Sequence, residues 1–352
     1  MRALALATVL AMAIPPAGCG GGGGGEAKVA TQPTVDECKA EKEAKGLLRE
    51  IYQTISRSSN TDGLMALLAE PLVVFGPRRT DGHVSRSDAL VAMRTLLDER
   101  GKDNKPQVSS GGLAVVASPG GHSAWAVDVI QVEGSPMALS AVLSNQDDFW
   151  VVTAAALART PSMKTVRSSL KNDAIVPPGL AAPAKISSKA EGAADRFKRG
   201  LADPEVWGTD LAARSEAVVI GPSAGDVTRG KKEIAKLWKK RAKANTRYAS
   251  AGEMAAGTTP DGQLAWVTVP AVQFADDEEP LPLRLFGIYE RAGGDWKLVA
   301  FQESLAVDEP GVGANFKKIT PPAVKVEEAP PPPPKDEPKK KKKKKKKAAD
   351  ED

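Results

Sequence analysis

Two histidines and two cysteines are all that 352 residues contain, and this scarcity excludes a good deal of chemistry. Two cysteines cannot form a disulfide framework or a Cys-rich metal site. His83 and His122 lie in DGHVSR and GGHSAW, polar stretches that read as solvated turns, not as the buried setting of a general base. Metal-ligand spacing, a phosphate-cradling glycine loop and a nucleophile elbow are all missing. The run Gly20 to Gly25 has no helix after it and is no P-loop. No metal or cofactor is therefore expected. Long hydrophobic runs are absent too: Ala3 to Ile14 is too short to cross about 30 Å of hydrocarbon as a permanent helix. The body of the chain even lacks net charge. Of the overall +5, residues 335–352 supply all, with 10 Lys against 5 acids, leaving 39 of each sign in residues 1–334. Any attraction to polyanions is placed in that tail.

The 27 Pro and 32 Gly gather in three segments that cannot build a core, and the length suggests about two folded units between them. At the start, MRALALATVLAMAIPPAGCGGGGGG has a basic Arg2, an apolar run and a helix-breaking Pro15-Pro16 before small residues, the layout of a secretory signal. Pro16-Ala17-Gly18-Cys19 resembles a bacterial lipobox, with Pro16 standing where Leu is usual. That resemblance implies cleavage before Cys19 and diacylglycerol on its thiol, and hence a membrane partner through an N-terminal lipid. The alternative is simple cleavage beside an incidental cysteine. Gly20, lacking the Asp that retains some lipoproteins at the inner membrane, points to a bacterial envelope protein at the outer membrane, facing the periplasm. The glycines after it serve as a flexible tether. Cys38, in DECKAEKEAKG, reads as an exposed thiol at a helix start or a site of intermolecular disulfide formation.

The phrase LVVFGP at Leu72 to Pro77 returns as AVVIGP at Ala217 to Pro222, and the surrounding pattern returns with it. In the first copy Leu47, Leu48, Ile51 and Ile55 lay one stripe on a helix, and a further helix is expected from about Ser87 to Glu99. Strands follow at Leu113 to Ala117, Ser123 to Val132, Met137 to Leu143 and Phe149 to Leu157. The second copy repeats this order, with strands at Leu264 to Phe274, Leu281 to Glu290 and Trp296 to Leu305. Its helix after Gly230 turns Ile234, Leu237 and Trp238 inward and Lys231, Lys232, Lys236, Lys239 and Lys240 mostly outward. With no aromatic platform beside them, these lysines read as a solvated face, not a nucleic-acid surface. A repeat of about 145 residues is too long for a solenoid unit and means a duplicated domain. The expected division is signal peptide 1–18, tether 19–42, first domain 43–159, linker 160–192, second domain 193–309 and tail 310–352.

The string VVIGP…VTRGKKEI…GQLAWVTV…LPLRLFGIYERAGGDWKLVAFQESLAV, within residues 216–307, resembles the SnoaL-like branch of the nuclear transport factor 2-like (NTF2-like) superfamily. The first copy resembles it more faintly, through VVFGP, VSRSDAL and SAW. The resemblance implies an α+β fold: two cone-shaped NTF2-like domains, each a strongly curved antiparallel sheet wrapped around helices and a pocket. It also implies sheet-face pairing, either between the two copies or as a dimer of chains. Enzymes of the superfamily, among them ketosteroid isomerases and dehydratases, place a carboxylate or His in that pocket, where burial tunes its pKa. The last strand of the SnoaL-like pattern commonly reads His-x-Ser. Here it reads Gln302-Glu303-Ser304, and in the first copy Ala156-Leu157-Ala158, so the expected base is missing twice. Gln302 offers hydrogen bonds but no exchangeable proton near neutral pH.

The candidate pocket residues are therefore Trp125, Asp128, Trp266, Arg284, Tyr289, Gln302 and Ser304, with no catalytic assignment. Asp128 shares strand parity with Ala126 and Ile130, Arg284 and Glu290 suit a cross-strand pair, and the aromatics suit plain core as well as a cavity wall. Pro330 to Pro334 reads as an extended spacer. The lysines Lys339, Lys340, Lys341, Lys342, Lys343, Lys344, Lys345, Lys346 and Lys347 read as a polyanion-binding or merely solubilising tail. Three functions follow: a lipid-anchored envelope protein binding a small apolar ligand or a protein partner without catalysis, an isomerase or dehydratase, and a tether holding anionic envelope polymers through its tail.

Overall fold

The structure is a computed structural model that describes residues 34–305 apart from 58–61, 78–80, 92–107, 133–134, 165–184, 212, 214 and 277. The signal peptide, Cys19, most of the glycine tether, the middle of the linker and the lysine tail lie outside the described residues, as does the larger part of the helix expected from Ser87. Both domains belong to one contact unit, residues 1–322.

Helix α1 (Val35–Arg57) opens the first domain, eight residues before the expected boundary at 43. Thr34 caps it: its Oγ1 accepts from the Glu37 amide at 3.2 Å while Glu37 accepts from the Thr34 amide at 2.7 Å, a reciprocal box that satisfies two otherwise unpaired donors. Its buried stripe is Ala40, Ala44, Leu47, Leu48 and Tyr52. Alanine makes the first turns of that stripe inconspicuous among charges.

The strands of this domain are β1 (Leu68–Phe75), β2 (Gly82–His83), β3 (Val108–Ser110), β4 (Ala114–Ala117), β5 (Ser123–Val132), β6 (Ser135–Gln146) and β7 (Phe149–Arg159). They form one sheet in the order β2-β1-β7-β6-β5-β3, with β4 also on β5. The second domain has α2 (Glu191–Ala202), α3 (Glu205–Leu211), β8 (Val218–Ile220), β9 (Val227–Arg229), α4 (Lys231–Lys243), β10 (Arg247–Ser250), β11 (Ala255–Thr258), β12 (Leu264–Phe274), β13 (Leu281–Ala292) and β14 (Asp295–Ser304). Its sheet runs β10-β12-β13-β14-β8-β9, with β11 on β12. This is the first order read from the opposite edge. The one parallel pairing also recurs, β1 with β7 and β8 with β14. The fold is thus α+β, two domains each built on a curved seven-stranded sheet, and the sheets are mixed where a purely antiparallel sheet was expected.

The final hairpin of each domain turns in two residues with positive φ: Asp147 (51°) and Asp148 (67°) in one, Gly293 (60°) and Gly294 (91°) in the other. That geometry matches the right-handed twist of the strands it joins. His122 is exposed in the β4–β5 turn, while His83, expected in a turn, sits on β2 opposite Val74.

Each sheet buries both faces. One face of the first sheet, with Ala124, Ala126 and Ile130, packs on α1, and the corresponding face of the second, with Val267, Val269 and Leu285, packs on α2 and α3. The opposite faces meet each other. Phe75, Trp125, Val127, Val142 and Ala156 of the first domain share one buried cluster with Val218, Ile220, Trp266, Phe286 and Ile288 of the second. Phe75 and Phe286 lie 6.3 Å apart, centroid to centroid. Polar contacts rim this seam: Ser123 donates to Asp261 at 2.8 Å, and Arg229 donates to the Gly112 carbonyl at 3.4 Å. The two sheet faces thus cover each other within one chain.

Candidate functional site

On the helix-covered side of the second sheet, four elements bring polar side chains together. Glu303 comes from β14, Arg241 from α4, Tyr248 from β10 and Gln273 from β12. Parity explains Glu303: Phe301, Glu303 and Leu305 point to one side of the strand and Gln302 and Ser304 to the other, and Phe301 and Leu305 belong to the helix-side core. Arg241 grips both oxygens of Glu303, Nη1 reaching Oε1 at 3.1 Å and Nη2 pairing with Oε2. Tyr248 donates its hydroxyl to Oε1 at 2.6 Å, and Gln273 Nε2 lies 3.3 Å from the same oxygen. The tyrosine oxygen in turn accepts from Arg241 at 3.0 Å and from Gln273 at 2.9 Å. Glu303 is 1% exposed.

Burial, reinforced by the neighbouring carboxylate and only partly opposed by Arg241, pushes the Tyr248 hydroxyl well above its ordinary value. It is a permanent donor. Burial alone would lower the Arg241 pKa, but the Glu303 charge outweighs it and holds the guanidinium protonated. Arg241 also stacks 4.7 Å over the Trp238 ring. The carboxylate thus receives a bidentate arginine, a phenol and an amide, and an ionised carboxylate has about four acceptor positions. Three of these contacts converge on Oε1, and Arg241 Nη2 alone reaches Oε2.

Aromatic rings crowd the core beside this cluster. Trp207, fully buried, has Phe301 at 4.8 Å, Phe197 at 5.0 Å, Tyr248 at 5.3 Å and Trp238 at 6.1 Å between centroids. Glycines make the room: a Cβ on Gly200 would stand 1.8 Å from Trp207 Nε1, and one on Gly208 or Gly287 would stand 2.7 Å from Trp238 or Phe197.

The structure separates the seven side chains read as pocket residues into two groups. Asp128 and Tyr289 face the helices. Asp128, fully buried, accepts from Tyr52 of α1 at 3.1 Å and from the Gly112 amide at 3.0 Å. Burial, then the Asp128 charge, raises the Tyr52 pKa. Tyr289 packs on Phe197, 6.4 Å between centroids. Trp125, Trp266, Arg284, Gln302 and Ser304 belong instead to the face where sheet meets sheet. Trp125 and Trp266 are members of the shared cluster. Arg284 donates to the Gly76 carbonyl of the first domain at 3.0 Å and lies 5.0 Å over Phe75. Burial pushes its pKa down to about 10, so it stays charged at neutral pH. Gln302 donates to Ser304 at 3.0 Å and to the Ala156 carbonyl at 3.5 Å. These five are seam residues and line no helix-side pocket.

Glu303, Arg241, Tyr248 and Gln273 were missed. Gln302 occupies the expected His position, whereas period-two spacing from Phe301 to Leu305 marks Glu303 as the inward acid. Of the two expectations for Cys38, the free thiol is not met: it is disulfide-bonded. The one other cysteine, Cys19, lies outside the described residues. Among the described residues no group of His, Cys, Asp and Glu has the arrangement of a metal site, and no helix is long and apolar enough to cross a membrane.

Residues 208–308 match the model of the SnoaL-like domain family, the span that carries β8 to β14 and the Glu303 cluster. No curated protein matches the chain. Among solved structures it is similar to an NTF2-like protein from Pseudomonas putida, with 16% identity over 33% of this chain and 84% of that one, at a TM-score of 0.28. It is also similar to a putative ketosteroid isomerase from Parabacteroides distasonis, with 14% identity over 38% and 96% and a TM-score of 0.28. A third is a putative dehydratase of the NTF2-like family from Streptomyces avermitilis, with 15% identity over 34% and 98% and a TM-score of 0.28.

Proposed function

We propose that this chain is an exported, non-catalytic binding protein of the bacterial envelope whose partner is a macromolecule met at its outer surfaces. The observation that carries the reading is the state of Glu303. The buried acid of the last strand, one residue past the position of the expected His, is held by Arg241, Tyr248 and Gln273, and aromatic rings crowd the core beside it. A base needs a free lone pair facing a substrate, and a carrier of small apolar ligands needs unfilled apolar volume. An isomerase or dehydratase activity would require Glu303 to leave its arginine. With the sheet faces joined to one another, the helices, the edge strands and the tails remain for recognition.

Export agrees with the secretory layout of residues 1–18, and a disulfide at Cys38 is the bonding state an oxidising compartment maintains. In this proposal Cys19 carries the lipid and the membrane is the outer one. A sulfur in a thioether cannot also bridge, and the chain has only these two cysteines, so lipid on Cys19 and a Cys38 disulfide within one chain exclude each other. Native mass spectrometry of the exported protein, purified without reductant, tests both points. The expected spectrum shows the polypeptide with its lipid and no second small molecule. A stoichiometric adduct that leaves on denaturation would replace this reading with ligand carriage, and an unlipidated chain closed by its own two cysteines would remove the anchor.

A further inference from the structure

The strongest unabsorbed feature is the solvent face of α4. Lys232, Lys236, Lys239, Lys240 and Lys243 are all exposed, and at about 100° per residue they fall within about 100° of the helix circumference. Ile234 and Trp238, both buried, occupy the opposite side. One acid interrupts the helix, Glu233, which pairs with Lys236 at 2.8 Å. Lys232 with Lys236, Lys236 with Lys240, and Lys239 with Lys243 are like charges one turn apart, an unfavourable arrangement in an isolated helix. Lys231 and Lys232 also oppose the positive end of the helix dipole. A solvated helix face is better served by alternating signs. A stripe of one sign on a rigidly packed helix is suited to a facing surface of the other sign.

We infer that α4 is an electrostatic docking surface for an anionic lipid bilayer. The stripe spans about 16 Å at 1.5 Å per residue, it is straight, and it consists of lysine alone. Lysine is a hydrated point charge that suits a plane of headgroup phosphates, whereas recognition of a nucleic acid favours arginine forks and aromatic stacking platforms. Among the described residues the large exposed apolar side chains are Met65, Val84, Val91, Phe149 and Ile186, none of them on α4. The contact is therefore peripheral, without insertion. It does not depend on the lipid at Cys19, and it differs from the lysine tail in being fixed to the folded body, so that docking orients the second domain against the bilayer.

The test is sedimentation of the full-length, unlipidated chain with vesicles of phosphatidylcholine containing phosphatidylglycerol, compared with vesicles of phosphatidylcholine alone. The variant replaces Lys232, Lys236, Lys239, Lys240 and Lys243 by Gln. A control of equal charge replaces the exposed Lys39, Lys42, Lys185, Lys189 and Lys198 by Gln. Helix content by circular dichroism establishes that both fold. The inference expects the α4 variant to lose roughly ten-fold or more in partitioning to anionic vesicles, several lysines near such a surface each contributing, with the control close to the parent. Equal loss in the two variants would show that only net charge matters and overturn it. So would an α4 variant that binds like the parent, leaving the tail as the whole attraction, or equal binding to neutral vesicles.

Discussion

Glu303→Ala is expected to destabilise the protein by about 3–5 kcal/mol, measured by chemical denaturation of the full chain. Removing the carboxylate leaves the Arg241 guanidinium, 12% exposed at its side chain, without a counter-charge. It also leaves the Tyr248 hydroxyl and the Gln273 amide without their shared acceptor. Breaking one side of a buried pair is far more harmful than removing both, so Glu303→Leu combined with Arg241→Met should recover much of the loss. The sign separates a structural acid from a reactive one. Replacing a strained catalytic acid commonly leaves stability unchanged or raises it, because function there is held at the expense of stability. An unchanged or raised midpoint for Glu303→Ala would place Glu303 among reactive groups and favour the enzyme reading over the one proposed.

Gly200→Ala carries the second large effect, and its sign runs against helix propensity. Inside a helix, exchanging Gly for Ala ordinarily stabilises by about 0.5–1 kcal/mol. Gly200 lies within α2, but its missing Cβ is where the Trp207 indole sits: the added carbon would be 1.8 Å from Nε1 and 2.1 Å from the neighbouring ring carbon. Trp207 cannot retreat, since Phe301, Phe197 and Tyr248 surround it. We expect Gly200→Ala to destabilise by about 1–3 kcal/mol or more through overpacking, read as a lowered thermal midpoint. Trp207→Phe in the same chain should return part of it by withdrawing the five-membered ring. A raised midpoint for Gly200→Ala would mean that the interior has spare volume, which is the property a ligand pocket needs.

The strands β5 to β7 and β12 to β14 were legible because their apolar runs are long and end in strong turn signals, and the repeated VVxGP phrase exposed the duplication. The short strands were not: β3 has three residues, β9 three, β10 four and β11 four, too few for periodicity to rise above background. The start of α1 was hidden because Ala40 and Ala44 form its buried stripe among charges. The assignment of faces was the deeper difficulty. A sheet with one wet face alternates apolar and polar residues, and the alternation tells inside from outside. Here both faces are buried, so Leu283 and Phe286, or Phe301 and Ala300, look alike in sequence while facing opposite ways. Arg284 and Gln302, polar residues among apolar ones, were read as a site because that is how a pocket residue looks. They are seam residues reaching Gly76 and Ala156 across the two domains. Glu303 gives no signal of its own in the sequence, because its partner Arg241 belongs to another element 62 positions earlier.

The central structural claim is that the two sheets are each other's partner within a single chain. A nuclear Overhauser contact between the rings of Phe75 and Phe286 tests it most directly. With centroids 6.3 Å apart, their edge protons should give a cross-peak that persists on dilution and is absent from isotope-filtered spectra of a mixed labelled and unlabelled sample. A missing cross-peak, or one seen only between labelled and unlabelled chains, would contradict the intramolecular seam and with it the assignment of Arg284 and Gln302.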